Sequence, residues 1–233
     1  MHAPSSAQAT WLNSGGILVF YVAGVLPCLR QWGSPDPWSR LDAFSGGYLA
    51  MTVALVVQQA IFAARFRGRD EIRTVFYSLE IDPDFSRWTV VLGMLEFLVV
   101  LDYGQWHLVP WLDNGAIKSA GLALYVLTVA WLFRVDHFLS REFAAAYEQG
   151  VPMTRGPYRW VRHPRYLGLF LSRLSLCLTL GSPIGWCLLA PWWLLIRRRV
   201  RREERYLRAK FGAAYDDYAR GTPALGPRFR PGR

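Results

Sequence analysis

The residues best placed to do chemistry lie in two short stretches. The first, 154–166, reads Thr-Arg-Gly-Pro-Tyr-Arg-Trp-Val-Arg-His-Pro-Arg-Tyr. Gly156-Pro157 and His163-Pro164 each force a turn, because proline fixes its own φ and drives the preceding residue out of the helical region. Pro164 can also open a following helix as its first residue. The backbone polar groups of such a segment must find partners, and at membrane depth irregular backbone is tolerated only inside protein or along a polar cavity. A cofactor needs such a place. The second stretch presents Arg199 and Glu203 four apart, hence on one helical face. A carboxylate there can hold a cationic amino group, and a guanidinium can clamp an anion bidentately. The same spacing equally suits an ordinary surface pair on a solvated helix.

The elements around these stretches read as membrane helices. Of 233 residues, 52% are apolar, 15% aromatic and 19% charged, and the apolar residues come in long blocks. A helix needs roughly 20 apolar residues to cross the hydrocarbon core. Residues 11–29, 46–66, 88–109 and 117–135 give four such blocks, the third interrupted by Glu96 and Asp102. Two shorter blocks, 166–180 and 183–196, flank Gly181-Ser182-Pro183 and predict a helical hairpin, the alternative being one long kinked helix. The expected fold is all-α and polytopic: four transmembrane helices plus the hairpin, five to six spans in one membrane domain. Residues 11–135 form its N-terminal helices, 150–220 its cofactor-binding core and 221–233 a flexible tail.

Net charge is +10, with 25 Arg against 2 Lys. Such an excess suits nucleic acid or an anionic membrane surface; the apolar blocks favour the membrane, and no soluble aromatic-basic platform supports nucleic acid. If the helices alternate from a cytoplasmic N-terminus, residues 65–87, 134–165 and 197–233 put 23 of the 27 basic residues on one side. The positive-inside rule makes that side cytoplasmic, with both termini. The last helix is expected to continue through the 197–205 arginine run, end at Gly212, and be followed by a short amphipathic helix over 213–220 carrying Tyr215 and Tyr218. The arginine run itself reads as a headgroup-binding feature. Cys28, Cys177 and Cys187 lie in apolar stretches without paired spacing, so neither a disulfide framework nor a metal site is expected.

Gly156-Pro157-Tyr158, Arg162-His163-Pro164 with Tyr166 and Gly168, then Glu203-Glu204 with Leu207, Phe211-Gly212, Tyr215 and Tyr218 form one ordered signature. It resembles the isoprenylcysteine carboxyl methyltransferase and phospholipid methyltransferase superfamily over about a third of the chain. The resemblance implies an S-adenosylmethionine pocket between the 154–166 loop and the helix after the hairpin. It implies cofactor contacts from Met153, Thr154, Gly156, Pro157, Tyr158, Arg162, His163, Pro164, Tyr166, Glu203 and Glu204, with Arg199 facing the substrate. The family's His-x-Leu-Val is here Gly150-Val151-Pro152-Met153, which removes one cofactor contact. The implied reaction is methyl transfer to a lipid-like or small acceptor. Carboxyl methylation of a prenylcysteine-like acid leads; thiol or phospholipid amine methylation stays open, as do a nicotinamide-dependent sterol-type reductase and a non-catalytic scaffold. The arginine bias points to a GC-rich bacterial genome, hence an inner membrane.

Ionisable groups inside a membrane are costly and functional by default. Glu96 and Arg173 therefore either pair with each other or line a substrate path. Gln58-Gln59 reads as interhelical hydrogen bonding, and His107 and His137 as structural residues near helix ends.

Overall fold

A computed structural model describes residues 23–65 and 83–226. Among them the regular structure is helical, with no strand. The helices are α1 (23–29), α2 (Ala43–Arg65), α3 (Pro83–Leu101), α4 (Gly115–Glu148), α5 (Pro164–Leu180), α6 (Pro183–Phe211) and α7 (Ala213–Gly221). α1 is the end of the first apolar block; the rest of that block, the 66–82 part of the first basic loop and 227–233 lie outside the described residues. Among the described residues, two helical segments, Arg87–Trp106 and Gly115–Glu148, are long and apolar enough to cross a membrane.

The hairpin forms as two helices rather than one kinked rod. α5 ends where Gly181 adopts a left-handed conformation (φ 59°), and Pro183 starts α6 one residue after the Ser182 cap. α6 runs on through the arginine run to Gly212, and α7 follows at the predicted place. α5 is the helix around which the others gather, packing on α4, α6 and α2. The close approach to α4 depends on Gly121, where a Cβ would stand 2.5 Å from the Thr179 amide nitrogen. Small residues of this kind let membrane helices meet backbone to backbone.

Two blocks differ from their sequence bounds. The fourth helix does not stop at 135 but continues to Glu148, because Arg134, Asp136, His137, Arg141 and Glu142 change the polarity without breaking the helix. At about 1.5 Å per residue its 34 residues exceed a bilayer core by several turns. The third does not remain α-helical to 109. A π-turn over Asp102–Trp106 ends it, and His107 is left-handed (φ 49°). Asp102 makes this stop: its carbonyl accepts from the His107 N–H at 2.8 Å and its carboxylate from the Leu108 N–H at 2.9 Å. The tail read as loose from residue 221 is docked as far as 226, with Thr222 and Leu225 buried. Leu225 packs on Ile196 and Val200 of α6.

Buried charge marks both ends of the bundle. Where α4 begins, Lys118 bonds Asp113 (2.7 Å) and the Tyr103 hydroxyl (3.0 Å), with Asp42 at 3.9 Å. About 27 Å further along α4, Asp136 accepts from Gln58 of α2 and lies 3.2 Å from Arg165 at the start of α5. Gln58 thus makes the interhelical bond expected of it. Between the ends, Glu96 and Arg173 pair with each other at 2.6 Å, with the guanidinium over the Trp192 ring.

Candidate active site

The 154–166 loop is held from three sides. Gly156 has φ +57°, and a Cβ there would lie 2.5 Å from the Phe138 ring of α4, so only glycine fits. Gly156–Arg159 makes one 3-10 turn with Pro157 buried beneath it. Trp131 of α4 donates its indole N–H to the Pro164 carbonyl at 2.9 Å and stacks on Trp160. From the other side the tail closes in: the Arg162 and His163 amides donate to the Pro223 and Ala224 carbonyls at 2.8 and 3.0 Å. Tyr218 of α7 donates to the Tyr158 carbonyl at 2.6 Å. These bonds answer the backbone demand that made the loop conspicuous in sequence.

The two adjacent carboxylates of α6 have different surroundings. Glu204 is 8% exposed and accepts from Arg162 Nε at 2.9 Å and from its Nη2; His163 Nε2 is 3.4 Å away. Arg162 also donates to the carbonyls of Ala219 (3.0 Å) and Thr222. Burial alone would raise the Glu204 carboxyl, but the bonds from His163 and Arg162 pull it down to about 2. This cluster ties loop, α6 and tail into one block.

Glu203 looks the other way. Its Oε2 accepts from the Tyr166 hydroxyl at 2.8 Å, and that hydroxyl in turn accepts from Arg199 Nε at 3.0 Å. Arg199 is only 2% exposed and lies over the Phe85 ring. The surface-pair reading of Arg199 and Glu203 therefore fails: the two share a face, but they meet through Tyr166 in the interior. Glu203 Oε1 sits 3.8 Å from His163 Nδ1.

Glu203 also borders an aromatic cleft shared with Phe143, Tyr147, Met153, Tyr158, Arg162, Leu207, Phe211, Tyr215 and Tyr218. Its enclosed part is small, about 50 Å³. A more open groove of about 370 Å³ adjoins it across Val151–Met153 and takes in Glu142, Gln149, Thr154 and Arg155. Burial raises the phenols of Tyr158, Tyr215 and Tyr218, so they are neutral donors and aromatic walls at ordinary pH. A carboxylate beside aromatic rings can hold an organic cation.

Of the residues singled out in sequence, Met153, Tyr158, Arg162 and Glu203 line the enclosed cleft, and Thr154 the adjoining groove. Gly156, Pro157 and Pro164 shape the loop; His163, Tyr166 and Arg199 stand behind Glu203. Glu96 and Arg173 line neither cavity. Sequence reading missed Asp136 and Arg165, whose pairing anchors the start of α5 beside the loop. It also missed the carbonyls of 219–224, which no side-chain pattern reveals.

The family model described as the isoprenylcysteine carboxyl methyltransferase (ICMT) family matches residues 119–209. Protein-S-isoprenylcysteine O-methyltransferase of Dictyostelium discoideum is 25% identical over 227 residues, 93% of this chain and 91% of that one. Methanethiol S-methyltransferase 2 of Bradyrhizobium diazoefficiens is 30% identical over 181 residues, 65% of this chain and 68% of that one. The nickel-cobalt-cadmium resistance protein NccN of Alcaligenes xylosoxydans xylosoxydans is 28% identical over 141 residues, with 60% and 63% covered. No solved structure matches. The chain belongs to the isoprenylcysteine carboxyl methyltransferase superfamily and is a membrane methyltransferase.

Proposed function

We propose that the protein moves the methyl group of S-adenosylmethionine onto a lipid-like carboxylate, best represented by a prenylcysteine-type acid. The observation that carries this reading is the position of Glu203, one oxygen on the Tyr166–Arg199 relay and the whole group at the edge of an aromatic cleft. The cleft's chemistry fits the donor, which combines an ammonium, a sulfonium and an aromatic base. Glu203 would take the cationic end, and Tyr158, Tyr215 and Tyr218 would supply ring faces. Met153, Thr154, Gly156 and Pro157 would form the loop side of the wall. Arg162, His163, Pro164 and Glu204 would keep that wall in place, and Tyr166 would orient Glu203.

When bound, the donor supplies an electrophilic methyl group on a positively charged sulfur. The protein's task is then to hold the acceptor atom in line and to keep water out. Arg199, buried and pointed by Tyr166, would bind an anionic acceptor, which needs no general base. His163 lies behind Glu203 and would orient it rather than move a proton. The name of the Bradyrhizobium relative favours a second reading, methylation of a small thiol, in which a thiolate takes the carboxylate's place.

The membrane arrangement follows the charge distribution: an even number of crossings, both termini and the site on the cytoplasmic side of a bacterial inner membrane. The buried Gln58–Asp136–Arg165 group and the arginine run lie at the site's end of the bundle, and Asp42 and Asp113 at the other. Calorimetric titration of purified protein with S-adenosylhomocysteine and, separately, NADPH tests the donor class. Labelled methyl transfer to a farnesylcysteine analogue against methanethiol tests the acceptor. Binding of S-adenosylhomocysteine alone, with label on the farnesylcysteine carboxyl, is the expected result; binding of NADPH alone would overturn it.

A further inference from the structure

The amino-acid end of the donor proposed above carries a carboxylate as well as an ammonium, and a carboxylate leaving water needs a cation. Arg162 lines the cleft, but its Nε and Nη2 bind Glu204 and its Nη1 binds two backbone carbonyls. A further cation lies next to that wall, on the exposed side of α6. Glu203, Leu207 and Phe211 face the cleft from α6, and Lys210 shares their stripe, seven residues (two turns) beyond Glu203. Its ammonium lies 3.4 Å from the centre of the Tyr147 ring, and Tyr147 is itself a cleft residue. Phe143 stacks on Tyr147, Phe211 meets it edge-on, and the Tyr206 hydroxyl shares a hydrogen bond with it at 3.1 Å. The ring on which Lys210 rests is therefore fixed, and it holds the exposed lysine's ammonium beside a residue that lines the cleft.

We infer that Lys210 is the binding residue for the carboxylate of the donor's amino-acid end, opposite Glu203, which takes its ammonium. The inference rests on the reading given under Proposed function. It makes α6 a two-point clamp with charges of opposite sign on one helical face. Tyr147 is the platform that holds the lysine between binding events.

The test compares two probes by calorimetry: S-adenosylhomocysteine, which has the amino-acid end, and 5′-methylthioadenosine, which lacks it. Lys210→Met should weaken S-adenosylhomocysteine by about tenfold to a hundredfold, the scale of one charge-assisted bond. It should leave methylthioadenosine within about twofold on the same footing. Lys210→Arg should recover most of the loss. Unchanged S-adenosylhomocysteine affinity in Lys210→Met overturns the inference, as does equal weakening of both probes, which would mean that the lysine only supports Tyr147. Selective loss in Arg155→Gln, with Lys210→Met unaffected, also overturns it by placing the cation in the adjoining groove. Failure of the wild-type protein to bind either probe would remove the proposed function itself, a result separate from all of these.

Discussion

Lys118 and Glu203 lie at opposite ends of the helix bundle, and both are charges removed from most of the solvent. Lys118 is enclosed by Asp113, Asp42 and the Tyr103 hydroxyl, with its ammonium over the Phe44 and Tyr103 rings. Its partners come from the segments that join α1 to α2 and α3 to α4, so the cluster ties connections together. Glu203 has a tyrosine on one oxygen and a cleft beside it. The duty that Lys118 performs at one end falls at the other to its neighbour Glu204, which binds Arg162 and through it the tail. The contrast shows how a buried charge can be read. Lys118, with its contacts all inside the protein, holds the fold; Glu203, which Tyr166 and His163 support from behind and which also borders a cleft, is placed to meet a ligand.

The largest effect on stability should come from breaking the enclosed cluster. Lys118→Met leaves Asp113 and Asp42 without their ammonium and should cost about 3 kcal/mol, read as a lower thermal midpoint, with S-adenosylhomocysteine affinity unchanged. Loss of donor binding at this distant end would erase the distinction between the two ends.

Next comes the acid response of Glu204. Its carboxyl is held at about 2 in the folded protein against an ordinary 4.5. A depressed acid stabilises the fold above the unfolded value, and that stabilisation is lost as pH falls through the folded one. Wild type should therefore exceed Glu204→Gln by about 2 kcal/mol above pH 4.5, and the gap should close as pH drops toward 2. A gap independent of pH would show that the carboxylate is not what ties Arg162.

A smaller cost, about 1–2 kcal/mol, is expected from Asp136→Asn, which keeps an acceptor for Gln58 but removes the charge opposite Arg165. Because Arg165 opens α5 directly after the loop, the same variant should also weaken donor binding severalfold; destabilisation without that change would detach the network from the site. The least effect belongs to Arg220→Ala. It breaks an exposed pair with Asp217 on α7 and should change stability by less than about 0.5 kcal/mol.

How much of this was legible in the sequence follows from where each signal resides. The i,i+4 spacing of Arg199 and Glu203 and the two X-Pro turns are local, and the structure sets them face to face through Tyr166. The hairpin break at Gly181-Ser182-Pro183 and the helix end at Gly212 are equally local, written in residue type. Whether Arg199 was solvated or buried was not local, since Phe85 lies 114 positions earlier. The partners of Lys118 were hidden for the same reason. Asp136 escaped because polarity was taken to end the fourth span, although a helix stops only where its backbone is broken. The docked tail escaped because its contribution is carbonyl oxygens, to which a Pro- and Gly-rich composition gives no clue.

Of the two adjacent carboxylates, then, Glu203 is assigned to the donor and Glu204 to the protein. Calorimetric titration of S-adenosylhomocysteine into wild type, Glu203→Gln and Glu204→Gln, with unliganded thermal midpoints measured alongside, tests it most directly. Glu203→Gln should lose at least about tenfold in affinity and keep its thermal midpoint, and Glu204→Gln should lower the midpoint. Wild-type affinity in Glu203→Gln would contradict the assignment.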